Sequence, residues 1–157
     1  MISAMVIHTK NLQRAKKLNL PRIRRDLAKA LRLLDLSHAE LSVAFVGNDR
    51  MRRLNARYRG IDRATDVLSF PLSDGAPPAG QTSSFPCPLP LGDIIICVPT
   101  ASAQAREYGA TFREELLRLL VHGLLHLAGY DHEINAYRKK KMREKEKELL
   151  EALQTMA

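Results

Sequence analysis

Hydrophobic and polar positions along this chain follow two periods, and the switches between them mark its elements. Residues 2–8 read as a short strand. Pro21 opens a helical segment that gathers Ile23, Leu27, Ala30, Leu31 and Leu34 on one face and leaves Arg22, Arg25, Lys29 and Arg32 mostly outside it. Leu41 to Val46 alternates loosely and is rich in Val and Phe, which predicts a second strand. Asn48 or Asp49 is placed to cap a helix running to about Tyr58, and Gly60 closes it. Val67-Leu68-Ser69-Phe70 reads as a third strand, ended by Pro71. Leu91 to Val98 is a nearly continuous apolar run, the pattern of a strand buried on both faces.

Residues 73–90 hold five prolines among Gly, Ser and Thr, a loop by composition. Beyond Pro99 only helical periods remain. One helix covers roughly 100–108 and ends at Gly109; Thr111-Phe112-Arg113-Glu114 has capping-box spacing and opens a second that runs to Ala128. A third, highly charged helix occupies about 134–154. No internal repeat and no second domain emerge. The expected class is α+β: one domain, residues 1–157, with a small mixed sheet covered by helices.

Composition sharpens this picture in three ways. A 157-residue chain with 45% hydrophobic and 27% charged residues is long enough for one core and too apolar to be disordered. With 5% aromatic residues and no Trp, extended base stacking is not its main mode of binding. The formal net charge of +8 favours polyanionic partners: nucleic acid, a ribosome or an acidic membrane face. Cys87 and Cys97 form no disulfide framework, and Cys97 reads as a buried thiol in its apolar run. No stretch has the length of a membrane span and the first residues lack a signal-peptide pattern, so a cytoplasmic protein is expected.

The candidate chemistry lies in Val121-His122-Gly123-Leu124-Leu125-His126-Leu127-Ala128-Gly129-Tyr130-Asp131-His132. At 3.6 residues per turn, His122 and His126 lie about 40° apart on one helix face. Gly129 falls where a helix end favours a left-handed residue, and the resulting turn can return His132 as a third ligand. Three neutral imidazoles around one zinc ion leave a fourth position open, the layout of a catalytic site, here at the C-terminal end of a central buried helix. The helix is otherwise apolar except for a stripe of Glu115, Arg118, His122 and His126, which aims both rings at a cleft or solvent. Gly123 costs about 1 kcal/mol against Ala in a helix interior. Either close substrate access or tight packing would account for it. The spacing is also close to the long zinc-protease signature, but Gly123 stands where that signature has its general-base glutamate, which argues against a peptidase.

With those residues in place, the motif resembles the signature of the YbeY family of endoribonucleases, the rRNA maturation factors. Further segments match it in order: Leu54-Asn55, Tyr58-Arg59-Gly60, Thr65-Asp66-Val67-Leu68-Ser69-Phe70-Pro71 and Leu91-Gly92-Asp93-Ile94. The match spans about residues 40–133. It implies a single-strand-specific, zinc-dependent endoribonuclease acting in maturation of rRNA, including the 16S rRNA 3′ end, and in ribosome quality control. It also implies single-stranded RNA, rRNA and the small ribosomal subunit as partners, one Zn2+ per chain on His122, His126 and His132, and a functional Arg59. A guanidinium suits the charge that develops on a phosphodiester, although Arg59 follows Arg50, Arg52, Arg53 and Arg57 in what also reads as a solvated helix face.

No carboxylate is placed by spacing as a general base. Asp131 and Glu133 flank His132 as orienting partners or as surface groups, and either water or the RNA 2′-hydroxyl is available to attack. Asp66 and Asp93, at strand ends, cap turns or hold Arg59. Tyr130 packs over the helix end or stacks on a base. On the last helix, Arg138 to Lys141 with Arg143 offer phosphate contacts, and Glu144-Lys145-Glu146-Lys147-Glu148 reads as pairing on an exposed face. Two other functions fit the same residues: a ribosome assembly factor with structural zinc, and a zinc hydrolase of other substrates.

Overall fold

Four strands and five helices follow one another in the computed structural model, which describes residues 5–72, 88–130 and 135–154. In chain order they are β1 (Val6–Leu12), α1 (Leu20–Leu33), β2 (Ala39–Val46), α2 (Asn48–Arg59), β3 (Val67–Pro71), β4 (Leu89–Cys97), α3 (Val98–Tyr108), α4 (Phe112–Leu127) and α5 (Ala136–Gln154). The sheet order is β1-β2-β4-β3, with β1, β2 and β4 parallel and β3 antiparallel on the edge of β4. This is the mixed sheet expected from the sequence.

The strands alternate between two cores. Leu41, Val43 and Phe45 stand beside Gly92, Ile94 and Ile96 in the ladder, and Val67 and Ser69 continue that row on β3. This face carries the main core, against α1, α4 and α5. On the opposite face Val46, Leu68 and Cys97 pack with Met51 of α2. Central β4 is therefore covered from both sides, and Cys97 is a buried free thiol as expected. Ile94 and Ile96 are fully buried, each stabilising the fold by about 1.5–3 kcal/mol.

Several element boundaries differ from the expected ones. β1 runs over Val6–Leu12, four residues past the expected end at residue 8, because its outer face is polar and its pairing with β2 sets its span; residues 2–4 of the expected strand lie outside the described residues. The cap of α2 is Gly47 in an extended conformation, without a side-chain bond, where Asn48 or Asp49 was expected. β4 begins at Leu89, taking two residues from the proline-rich loop, since Leu89 donates its N–H to the His38 carbonyl and buries its side chain. Residues 73–87 of that loop, Cys87 included, lie outside the described residues. Within β4, Gly92 has φ +137° and any Cβ there would collide with the Phe70 carbonyl, so the close β3–β4 pairing requires glycine.

The helix that carries the histidines is set with unusual redundancy. Thr111 accepts from the Glu114 N–H at 3.1 Å while Glu114 accepts from the Thr111 N–H at 3.2 Å, the predicted capping box. The Arg113 guanidinium forks onto buried Asp26 of α1 at 2.8 and 3.3 Å. At its far end Tyr130 N–H reaches the Leu125 carbonyl, Gly129 N–H reaches that of His126, and Gly129 takes φ 96°. That double bond pattern satisfies carbonyls the helix would otherwise leave open, and Tyr130 packs back on the core as anticipated.

Candidate metal centre and active-site cleft

His122 and His126 share one face of α4, with their Nε2 atoms 3.2 Å apart and their ring centroids 4.7 Å apart. Zinc–imidazole bonds of about 2.0–2.1 Å in a tetrahedral shell place neighbouring nitrogens about 3.3–3.4 Å apart. The pair thus fits two ligands of one ion, provided both Nε2 atoms present lone pairs. His132, Asp131 and Glu133 lie outside the described residues, and among the described residues no group of three His, Cys, Asp or Glu side chains converges.

Both rings open into a cleft of about 420 Å³, whose other walls include Arg59, Asp66, Val67, Ser69 and Pro71. The expectation that the rings point into a cleft is met. Their height above the sheet follows from Gly123. A Cβ there would stand 3.0 Å from Ile94 Cγ2 and 3.1 Å from Ser69 Oγ, so helix and sheet touch at this point. Ser69 Oγ donates to the Gly123 carbonyl at 3.4 Å. Of the two explanations for Gly123, tight packing is the one realised: burial of Ile94 outweighs the helix propensity that glycine forgoes.

Arg59 is the last residue of α2, and Gly60, with φ 71°, turns the chain away behind it. Asn55, one turn earlier and 1% exposed, donates from Nδ2 to the Arg63 carbonyl at 2.8 Å, which fastens the segment after α2 and sets the cleft wall. The arginines of this run are not equivalent. Arg52 forks onto Asp62 at 2.8 and 3.0 Å, whereas among the described residues no carboxylate lies within ion-pair reach of Arg59. Asp66 does not hold Arg59. Its Oδ1 accepts from the Val67 N–H at 2.8 Å, and its Oδ2 accepts from Gln104 at 3.3 Å. Asp93 pairs in the ladder opposite Ser42 and Phe70.

Behind the cleft lies a polar cluster that the sequence reading missed. Glu115 is 2% exposed and accepts from Arg118 Nε at 2.8 Å, Arg118 Nη2 at 2.6 Å and Gln104 Nε2 at 2.6 Å. The stripe of Glu115, Arg118 and the histidines is therefore not all at the surface; its first member is a buried carboxylate joining α3, α4 and the start of β3. Burial pushes the Glu115 carboxyl up, but the Arg118 and Gln104 hydrogen bonds and the Arg118 charge outweigh it and hold its pKa below the ordinary glutamate range. The Glu115 hydrogen bond, working against burial, raises the Arg118 pKa in turn.

A depressed carboxyl stabilises the fold fully above its unfolded-state pKa, and that contribution is lost as pH falls through the folded-state value. Glu115→Gln is expected to cost about 1–2 kcal/mol at neutral pH, the low side for a charged hydrogen bond because Arg118 stays partly in water. Urea unfolding should show the gap between variant and wild type closing below about pH 4. A gap that persists unchanged into acid would contradict this account.

Comparison with known proteins places these features in a family. The family model described as Endoribonuclease YbeY matches residues 8–154. An Endoribonuclease YbeY of Sulfurihydrogenibium is 50% identical over 107 residues, covering 68% of this chain and 65% of that protein's own length. One from Bacillus thuringiensis is 44% identical over 131 residues, 83% of each chain. A solution structure of a Thermotoga maritima protein superposes with a TM-score of 0.68 at 33% identity, covering 94% of this chain and 89% of that one. The segments matched in the sequence, Arg59 and the histidine motif among them, fall inside the region the family model covers. This chain belongs to the YbeY endoribonuclease family.

Proposed function

We propose that the protein is a zinc-dependent endoribonuclease that cuts single-stranded RNA, acting in the cytoplasm on rRNA, including the 16S rRNA 3′ end, and in ribosome quality control with the small ribosomal subunit as partner. The observation that carries the reading is the convergence of two imidazole Nε2 atoms, 3.2 Å apart, in a cleft that Arg59 also lines. Family membership and the net charge of +8 support RNA as the substrate.

In this reading His122, His126 and His132 hold the ion. A bound zinc ion supplies Lewis acidity, which acidifies water and polarises a phosphoryl oxygen. Arg59, exposed at the helix end and without a described ion pair, binds the phosphate through two parallel N–H donors and meets the charge that grows on its non-bridging oxygens. Ser69 and Gly123 keep α4 pressed to the sheet, so the histidine pair holds its height over the cleft floor.

Metal removal tests the proposal. Elemental analysis of purified protein is expected to give one zinc per chain. Exhaustive chelation should slow cleavage of single-stranded RNA by on the order of a hundredfold or more, with zinc restoring it. Undiminished cleavage by metal-free protein would sink the reading.

A further inference from the structure

The charged α5 helix contains one acidic residue that behaves unlike its neighbours. Met142, Glu146, Leu149 and Leu153 follow spacings of four, three and four, which puts them on one helix face. The three apolar members are buried, at 2%, 0% and 2% exposure, and α5 packs by this face on the core. Glu146 is the only charged member of that stripe, and its side chain is 20% exposed. Glu144 and Glu148, at 61% and 63%, instead stand exposed, paired with Lys140 and with the half-buried Lys145. The alternating run is thus surface pairing at two positions and an inward carboxylate at the third, a correction to its expected role.

Glu146 Oε2 lies 3.8 Å from His122 Nδ1. Its charge also acts on Arg118, one turn before His122 on the same face of α4. An imidazole that offers its Nε2 lone pair to a cation must keep its remaining proton on Nδ1, and an acceptor there fixes both the tautomer and the ring's rotation. At 3.8 Å the contact is an ion-pair distance, longer than a direct N–H···O bond by about 0.6 Å or more, and the bond forms only if the glutamate changes its own torsions to bring the carboxylate closer.

We infer that Glu146 is a positioning residue for His122: its carboxylate accepts the Nδ1 proton and turns Nε2 toward the point shared with His126. The inference rests on the zinc-site reading given above. It extends the centre from α4 to α5, so that docking of the last helix and the readiness of the metal site become one property.

The test measures zinc affinity of the full chain, by competition with a chromophoric chelator, beside thermal unfolding of the metal-free protein. Glu146→Leu completes an apolar stripe, so metal-free stability should hold or rise. Its zinc affinity should nevertheless drop by about 10–100-fold. Glu146→Gln keeps a neutral acceptor, weaker than a carboxylate, and should lose only about fivefold. Glu144→Ala should match wild type in both measurements. A Leu variant that holds zinc within about twofold of wild type overturns the inference while leaving the zinc site standing. Wild-type protein that binds no zinc overturns both. If the Leu variant does not fold, the Gln variant decides, and affinity equal to wild type counts against the inference.

Discussion

Replacing His126 with alanine is expected to abolish stoichiometric zinc binding and to slow cleavage of single-stranded RNA by on the order of a thousandfold, while the protein stays folded. The separation between these effects follows from where the ring stands. His126 is only partly buried and faces the cleft, so its removal opens no hole in the leucine-rich side of α4. Alanine is also the better helix former, by about 0.6 kcal/mol, which offsets small losses of contact. The capping box, the Arg113–Asp26 fork and the glycine turn all remain to hold the helix. RNA association, carried by arginine and lysine contacts to phosphate, should survive with its salt dependence unchanged. Elemental analysis, a cleavage assay, filter binding across a salt series and thermal unfolding together read the outcome. If unfolding and loss of RNA association accompany loss of zinc, the ion is structural and the assembly-factor reading gains.

Much of this architecture was legible because the signals were local. The capping box at Thr111, the glycine turn at Gly129 and the face of α1 depend on residues within a few positions of each other, and each formed as the pattern required. The helix pattern likewise set His122 and His126 on one face, since 3.6 residues per turn leaves no freedom there. What the pattern did not reveal depends on partners distant in the chain. β1 is bounded by its pairing with β2, and β4 starts early because His38 supplies a carbonyl for Leu89. Glu115 reads as a surface residue until Gln104 and Arg118 close on it. Glu146 carried a usable signal, a carboxylate in register with Met142, Leu149 and Leu153, hidden by the alternating charges around it. Asn55 carried none beyond its family match, because its partner is a backbone carbonyl eight residues on.

Arg59 should show the second large effect, and of a different kind. Arg59→Ala is expected to lower kcat by about 10²–10³-fold, the range for removing one donor group aimed at charge that develops in the transition state. Zinc content and thermal stability should stay at wild-type values, because the side chain is exposed and has no described ion pair to lose. Two controls distinguish this from a general loss of positive charge. Arg52→Ala removes an equal charge from the same helix, but Arg52 is committed to Asp62, so RNA binding should weaken only several-fold and kcat should hold. Arg59→Lys keeps the charge but not the planar fork, and should recover less than a tenth of the lost rate if bidentate contact to the phosphate is what matters. Single-turnover cleavage under saturating RNA separates the alternatives. A loss confined to KM, or full recovery by lysine, would reduce Arg59 to one more contact in a basic surface and would leave the cleft without its phosphate clamp.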